Sequence, residues 1–326
     1  MLDTLSGKGL LIHHWDTDGI CSATLLLKHL KNKDMTNRTP ILGNYFLTDE
    51  EIKNYQHYDY IIIADMSLPK ENILALSKKA KVAIFDHHLG PVIEEVFHHN
   101  PIIKGENPDE YPSASWIVNT YLNNEVNLFA ILGVLGDHEQ KIQKNPILTP
   151  IIDEYCKNHN LTFDQLLEMV YLIDSNYKMG KKEDIEQIPH FFQTITDHND
   201  ILNHPQWKDN VASINEEITK QLQQPTEELN GVLFKKIHTK YSIISTITRK
   251  VAWDSGKTTM VLNTGFFDDM NELYVRSTTI NLEPLIQKGK QRGYKCGGKK
   301  EVLGSIIPKT ETDSFIEEIK DYLNKI

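Results

Sequence analysis

Three short apolar runs, each ending in an acidic or imidazole side chain, most constrain how this chain can fold. GLLIHH, YIIIAD and KVAIFD occupy residues 9–14, 60–65 and 81–86 and are rich in Ile, Leu and Val. Helical patterns separate them, and this alternation predicts a parallel sheet covered on both faces. The predicted helices of this half lie at about 19–32, 49–56, 69–79, 113–123, 127–136, 146–158 and 162–175.

The last hundred residues predict a smaller, mixed α/β domain. GVLFKKIH and YSIISTITR (231–238 and 241–249) are predicted as two strands joined by a turn. A short helix, two more strands (258–263 and 272–279), a glycine-rich segment, a final strand and an amphipathic helix follow. We therefore expect a catalytic domain over 1–180, a helical connector over 181–230 and a second domain over 231–326.

Composition excludes some classes of protein. The 326 residues are 40% hydrophobic and 25% charged, and no run approaches the roughly 18 apolar residues of a membrane span. The N-terminus has no pattern of a signal peptide, and three cysteines (Cys21, Cys156 and Cys296) are too few for a disulfide framework. These features predict a cytoplasmic protein without membrane partners.

The formal net charge of −10 disfavours a protein that coats long nucleic acid. It is unevenly spread, at −15 over residues 1–230 and +5 over residues 231–326. This asymmetry is typical of a metal-binding half joined to a half that binds an anion. The alternative is that the acidic residues only form solvent-exposed helix faces in the first half.

Candidate ligands cluster where the apolar runs end. His14, Asp16 and Asp18 alternate along HWDTDG, so an extended backbone projects them to one side, whereas His13 should point away. Helix capping by Asp18 is the alternative interpretation. Asp65 ends the second run.

Two further clusters complete the set. Asp86-His87-His88 ends the third apolar run, and Asp137 follows the apolar helix in LGVLGDHEQ. Carboxylates and imidazoles without thiolates suit divalent ions such as Mn²⁺ or Mg²⁺. Paired ions of this kind hydrolyse phosphate esters.

HHWDTDGICSA, IIIADMS, FDHH and LGVLGDHEQ, in this order and spacing, resemble the four motifs of the DHH phosphoesterase superfamily. That superfamily includes RecJ exonucleases, nanoRNases, cyclic-dinucleotide phosphodiesterases and family II pyrophosphatases. Asn100-Pro101 and YPSASWIVNTYL at 111–122 look RecJ-like, and GYKCGGKKEVLG at 293–304 resembles the glycine-rich signature of the DHH-associated C-terminal domain. The resemblance implies a metal site in the cleft between the two domains.

The resemblance also implies roles for single residues. The side chains that would bind two divalent ions are His14, Asp16, Asp18, Asp65, His87 and Asp137. Asp16 and His14 would bind one ion, Asp18, His87 and Asp137 the other, and Asp65 both. A catalytic pair would adjoin them, in which Asp86 fixes the tautomer of His87 and His88 contacts the substrate.

In the second domain the resemblance implies a site for the substrate phosphates at Arg276, Gly297, Gly298 and Lys299. The family usually has histidine at the position of Lys299. The lysine retains a cation there but lacks a side chain that titrates near neutral pH. A solvated strand-edge arginine and a solvated basic loop are the plainer interpretations of Arg276 and of the six basic residues in 286–300.

Together these features predict a metal-dependent phosphodiesterase with two divalent ions. Mn²⁺ is the expected metal, and Mg²⁺ is the second candidate. The expected reaction is exonuclease release of nucleoside monophosphates from short single-stranded oligonucleotides. The alternatives are a phosphoesterase for a 3′-phosphoadenosine-type nucleotide, a cyclic dinucleotide or pyrophosphate, and a non-catalytic scaffold of a replication or repair assembly. A second copy of the chain or a replication or repair protein is a further candidate partner.

Overall fold

The computed structural model describes residues 1–229 and 231–323, and the chain divides into two compact units. Unit 1 comprises Met1–Tyr177 and Lys181–Asp209, and unit 2 comprises Lys178–Gly180 and Asn210–Ile326. The domain boundaries at 180 and 230 and a metal site between domains stay predictions. Among the described residues, none of the helices is long and apolar enough to cross a membrane.

Within the described residues, unit 1 contains one parallel sheet with the strand order β2-β1-β3-β4-β5. The strands are β1 (Lys8–His13), β2 (Asp34–Arg38), β3 (Tyr60–Ala64), β4 (Lys81–Phe85) and β5 (Phe97–His99). The three apolar runs form the central strands and are almost wholly buried, since helices cover both faces. The predicted parallel sheet is confirmed, whereas the polar edge strands β2 and β5 carry no apolar signal and were not predicted.

The first seven helices follow the predicted positions, and three more lie in the segment predicted to be a helical connector, the last of them continuing into unit 2. They are α1 (Thr17–His29), α2 (Asp49–Tyr55), α3 (Lys70–Ser77), α4 (Ala114–Tyr121), α5 (Leu128–His138), α6 (Leu148–His159), α7 (Phe163–Lys178), α8 (Lys182–Thr194), α9 (Asn199–Leu202) and α10 (Pro205–Leu222). Several begin at a side-chain cap: Thr48 and Glu51 form a capping box at α2, and Asn127 caps α5. Helices α4 and α5 pack against α1 and so lie beside the loop that precedes it.

Unit 2 contains, within the described residues, a mixed sheet with the order β10-β11-β9-β8-β7-β6. Its strands are β6 (Glu227–Leu229), β7 (Val232–Ile237), β8 (Thr259–Asn263), β9 (Met270–Arg276), β10 (Lys295–Lys299) and β11 (Val302–Pro308). Its helices are α11 (Ile244–Ser255), α12 (Glu283–Gln291) and α13 (Thr312–Leu323). The predicted mixed α/β domain is confirmed.

The prediction of a strand over 241–249 is wrong, because this segment leads into α11. Its β-branched residues favour a strand when considered locally. Ile244, Ile247 and Thr248 nevertheless have the spacing of one helical face and are buried on the sheet. The glycine-rich segment also differs from expectation, since 295–299 pairs with β11 as an edge strand.

A buried lysine ties β7 to the end of α10. The Lys235 ammonium donates to the carbonyl oxygens of Leu222 and Gln224 and to the Thr226 hydroxyl. Burial lowers the pKa of Lys235. The last carbonyl of α10 and the Gln224 carbonyl just beyond the helix thus obtain a cationic partner that complements the helix dipole.

Replacing Lys235 by Met should lower the free energy of unfolding by about 1–3 kcal/mol, because buried acceptors lose their donor while side-chain volume is largely kept. Urea denaturation measures this loss. Lys236→Met is the matched control on the exposed side of the same strand and should change the free energy by less than about 0.5 kcal/mol. Equal effects of both substitutions would contradict the assigned role.

Candidate metal centre

The candidate site lies where the three central strands of unit 1 end. His14, Asp65 and Asp86 each directly follow β1, β3 or β4. Their amides extend the ladder one residue further: His14 N donates to Ala64 O (3.3 Å), Asp65 N to Phe85 O (2.9 Å) and Asp86 N to His99 O (3.3 Å). The three side chains are thus held in register at the edge where parallel sheets bind ligands.

Asp65 occupies the centre of this edge. Its backbone φ of 58° lies in the left-handed region, which is unfavourable for a residue with a Cβ and often marks a functional position. Oδ1 lies 3.4 Å from His87 Nε2, and Oδ2 lies 3.7 Å from His14 Nδ1. The two oxygens of one carboxylate therefore face two different imidazoles.

Three overlapping groups of potential ligands lie around Asp65. In each group one ligand atom per residue lies within 4.8 Å of the others. The groups are His14 with Asp16 and Asp65, Asp18 with His87 and Asp137, and Asp65 with His87 and His88. His14 Nδ1 is 2.7 Å from Asp16 Oδ2, and His87 Nε2 is 3.1 Å from Asp137 Oδ2. The predicted ligands therefore converge on two adjacent positions.

The N-cap of α1 is Asp16, which accepts a hydrogen bond from Gly19 N (3.1 Å), so the alternative of a cap at Asp18 is wrong. Asp18 is fully buried, and its oxygens accept from Ala114 N (2.7 Å) and Ser115 N (2.9 Å) at the start of α4. The amides at a helix N-terminus stabilise a negative charge.

Glycines allow this loop to pack against its surroundings. A Cβ on Gly19 would lie 2.4 Å from His14 O, and one on Gly133 of α5 would lie 2.4 Å from Asp18 Oδ1. Larger residues at either position would displace the loop that carries the ligands.

Asp174 is a supporting residue that the sequence analysis missed. Its Oδ1 accepts from Thr17 N (3.0 Å) and from Thr17 Oγ1 (2.7 Å), which attaches the loop to α7. A partner 157 residues away, with no motif around it, carries no local signal. The ring of His13, which was expected to point away from the ligands, lies between His14 O (2.6 Å) and Asn37 Nδ2 (3.1 Å).

Asp86 pairs with His88, whereas the DHH resemblance implied a pairing with His87. His88 Nδ1 lies 2.7 Å from Asp86 Oδ1, which leaves Nε2 on a ring that is 49% exposed. Burial opposes protonation of His88, but the bond to Asp86 outweighs it and raises the pKa. Asn100 secures this segment, since its amide donates to His88 O (2.9 Å) and accepts from Ile102 N.

The electrostatics favour bound cations. Burial, followed by the neighbouring carboxylates, raises the pKa of both Asp65 and Asp137. Burial also opposes ionisation of Asp16, but His14 and the Gly19 amide together outweigh it and lower the pKa. Burial lowers the pKa of His87, which keeps its imidazole neutral.

Two polar atoms indicate missing partners. His14 Nε2 and Asp65 Oδ1 are buried and form no hydrogen bond within the described part of the chain. Buried polar atoms nearly always have a partner. Carboxylate oxygens and imidazole nitrogens are donors that Mn²⁺ accepts readily, with Mg²⁺ favouring the oxygens, so these residues fit divalent metal ions.

Residues 9–144 match the model of the DHH family, N-terminal domain. This segment is a DHH domain. It contains all four sequence motifs, and the resemblance to the DHH phosphoesterase superfamily is confirmed. No curated protein sequence matches the chain.

Solved structures share the fold at low sequence identity. RecJ from Thermus thermophilus in complex with Mn²⁺ has a TM-score of 0.70 and 14% identity, over 98% of this chain and 52% of that one. The DHH domain of a member of the s1p family of ribosomal proteins has a TM-score of 0.69, 17% identity and coverages of 98% and 87%. The pGpG-specific phosphodiesterase PggH from Vibrio cholerae has a TM-score of 0.52, 15% identity and coverages of 98% and 99%. The chain thus spans about half the length of the Thermus RecJ.

The four residues predicted to bind substrate lie outside the DHH domain, in the sheet of unit 2. Arg276 ends β9 and is opposite Val302 of β11, which is in turn opposite Lys299 of β10. Directly opposite residues share a face, so Arg276 and Lys299 project to the same side. Gly297 also lies on that face, whereas Gly298 alternates to the other and has φ of 136°.

Asp65→Asn should raise the melting temperature of the metal-free protein by a few degrees, which corresponds to a gain of about 1 kcal/mol in the free energy of unfolding. Asparagine tolerates positive φ and removes a buried charge. Because the folded-state pKa of Asp65 is raised, its ionisation costs stability as pH rises, so the advantage of the variant should grow from acidic to neutral pH.

Mn²⁺ should raise the melting temperature of the wild type much more than that of Asp65→Asn. Differential scanning fluorimetry in EDTA and in Mn²⁺ measures both effects. Asp153→Asn, at an exposed carboxylate of α6, is the control and should behave as wild type. An equal response to Mn²⁺ in Asp65→Asn would argue against the assigned ligand.

Asp174→Ala should weaken Mn²⁺ binding by about 10- to 100-fold, because the loop that carries Asp16 and Asp18 loses its anchor. Isothermal titration calorimetry measures the affinity. Asp164→Ala removes an exposed carboxylate from the same helix and should leave affinity unchanged. Wild-type affinity in Asp174→Ala would exclude a positioning role.

Proposed function

We propose that this protein is a divalent-metal-dependent phosphodiesterase that releases nucleoside monophosphates from the ends of short single-stranded oligonucleotides. The observation that carries the proposal is the position of Asp65, whose two oxygens face the imidazoles of His14 and His87, two residues in different ligand groups. A carboxylate shared between two ligand groups is the arrangement that two-metal phosphoesterases require.

The ligand assignment follows from the groups. His14, Asp16 and Asp65 would hold one ion, and Asp18, His87 and Asp137 would hold the other. Asp65 also forms a group with His87 and would therefore contribute to both. When bound, such ions lower the pKa of a water and neutralise phosphate oxygens. Mn²⁺ is the first candidate and Mg²⁺ the second.

The chain itself supplies a proton donor beside the ligands. Asp86 accepts a hydrogen bond from His88 Nδ1 and raises the pKa of the imidazole, so the exposed Nε2 can donate to a phosphate oxygen or to the leaving oxygen. His88 Nδ1 lies 4.0 Å from Asp65 Oδ1, which places the ring next to the reacting centre. His88 and Asp86 are therefore the proposed catalytic pair.

Three observations support a short oligonucleotide as the substrate. The net charge of −10 disfavours long nucleic acid, while Arg276 and Lys299 present cations on one sheet face. Solved structures with this fold include an exonuclease RecJ bound to manganese and a pGpG-specific phosphodiesterase. A binding site for one or two nucleotides accommodates both kinds of substrate.

A product assay tests the proposal. Incubation with Mn²⁺ and labelled RNA and DNA oligonucleotides of graded length, dinucleotides included, should release monophosphates stepwise. Asp65→Asn should abolish release, and His88→Ala should lower kcat by about 10²- to 10⁴-fold. Asp153→Asn should retain wild-type activity.

The other outcomes separate the competing functions. Turnover of pyrophosphate, a cyclic dinucleotide or a 3′-phosphoadenosine nucleotide without oligonucleotide cleavage would refute the exonuclease and retain the metal chemistry. Mn²⁺ binding without hydrolysis of any phosphate ester would refute the enzyme and favour a scaffold.

A further inference from the structure

The tryptophan of α11 is exposed on unit 2. Trp253 has 62% of its surface accessible, whereas Trp15 and Trp207 are buried. An isolated exposed aromatic residue needs no special explanation. The cations around this indole are what distinguish it.

Two guanidinium groups lie near the Trp253 ring. The Cζ of Arg249 is 5.3 Å from the ring centroid, and the Cζ of Arg276 is 5.7 Å from it. Arg249 precedes Trp253 by one helical turn, and Arg276 comes from the adjacent β9. Cation–π contacts at these distances restrain the indole while leaving most of it accessible.

Arg276 has an unfilled donor. Its Nε is buried and forms no hydrogen bond within residues 1–229 and 231–323. Since buried donors nearly always have an acceptor, this atom indicates an absent anionic or polar ligand.

The neighbouring sheet surface leaves room for that ligand. Gly297 and Gly304 are opposite each other on β10 and β11, two residues along the strands from the row that contains Arg276 and Lys299, and Tyr274 lies opposite Gly304. A Cβ on Gly297 would meet no heavy atom within 4 Å. The face therefore combines open backbone at Gly297, two cations in one row and, beside Arg276, an exposed indole.

We propose that Trp253 stacks on a nucleobase of the same substrate whose phosphate Arg276 binds, with Arg249 holding the indole in place. The inference rests on the proposed function and deepens it. A phosphate alone would require only the cations, whereas a nucleotide also presents a π-face, which stacks on an aromatic ring and tolerates any base. Trp253 thus selects nucleotides over pyrophosphate.

Binding of a labelled, 5′-phosphorylated diadenylate to the full chain tests this. Fluorescence anisotropy in EDTA, which prevents turnover, should give a Kd that rises roughly 5- to 100-fold in Trp253→Ala. Trp253→Tyr should retain most of the affinity, because it keeps an aromatic face. A dinucleotide with both bases removed should bind wild type and Trp253→Ala equally.

Arg249→Ala should also weaken binding of the diadenylate. Lys320→Ala is its matched control, since it removes a cation 5.6 Å from the ring of Phe234 elsewhere in unit 2. If Trp253→Ala binds the diadenylate as tightly as wild type, or if wild type does not bind it, the inference is overturned.

The outcomes separate this inference from the proposed function. Dinucleotide binding that depends on Trp253, in a protein that hydrolyses no phosphodiester with Mn²⁺, supports the inference and refutes the enzyme. Hydrolysis with Mn²⁺ in which Trp253→Ala leaves the KM for the diadenylate unchanged refutes only the inference.

Discussion

The structure of this site depends on one constraint, the burial of negatively charged carboxylates away from water, and Asp65 is its clearest example. Its carboxylate is buried at the end of β3, and the carboxylates of Asp16, Asp18 and Asp137 contribute to the local field. Ionised carboxylates in such a place are costly unless cations compensate them. The neighbouring residues partly compensate this negative charge and leave the remainder available to bind cations.

The fold compensates the charge with backbone dipoles and imidazoles. The two amides at the start of α4 stabilise Asp18, and the Gly19 amide and His14 stabilise Asp16. Asp65 has no equivalent donor on its buried Oδ1 among the described residues. The least compensated negative charge therefore lies on Asp65, between His14 and His87. A cation at this position would be stabilised by the strongest electrostatic attraction in the site.

The features of unit 1 that could be predicted depend on short stretches of sequence. Apolar runs of strand length predicted the central strands of unit 1, and a polar residue after each run predicted the edge at which the ligands meet. The ligand set came from the DHH motifs together with donor chemistry. The segment 241–249 shows the limit of local patterns, because its β-branched residues suit either a strand or a buried helical face, and only packing on β8 and β9 decides between them.

The DHH motifs, the central strands and the chemical types of the predicted ligands were apparent from the sequence, since each is contained in a short run of neighbouring residues. Three contacts became apparent only in the folded chain: Asp174 binds Thr17 at the start of α1, Asp86 pairs with His88, and Arg276 approaches Trp253. These contacts depend on the orientation of side chains and on elements distant in sequence. Local propensity does not encode them, because they form only when the helices and strands pack together.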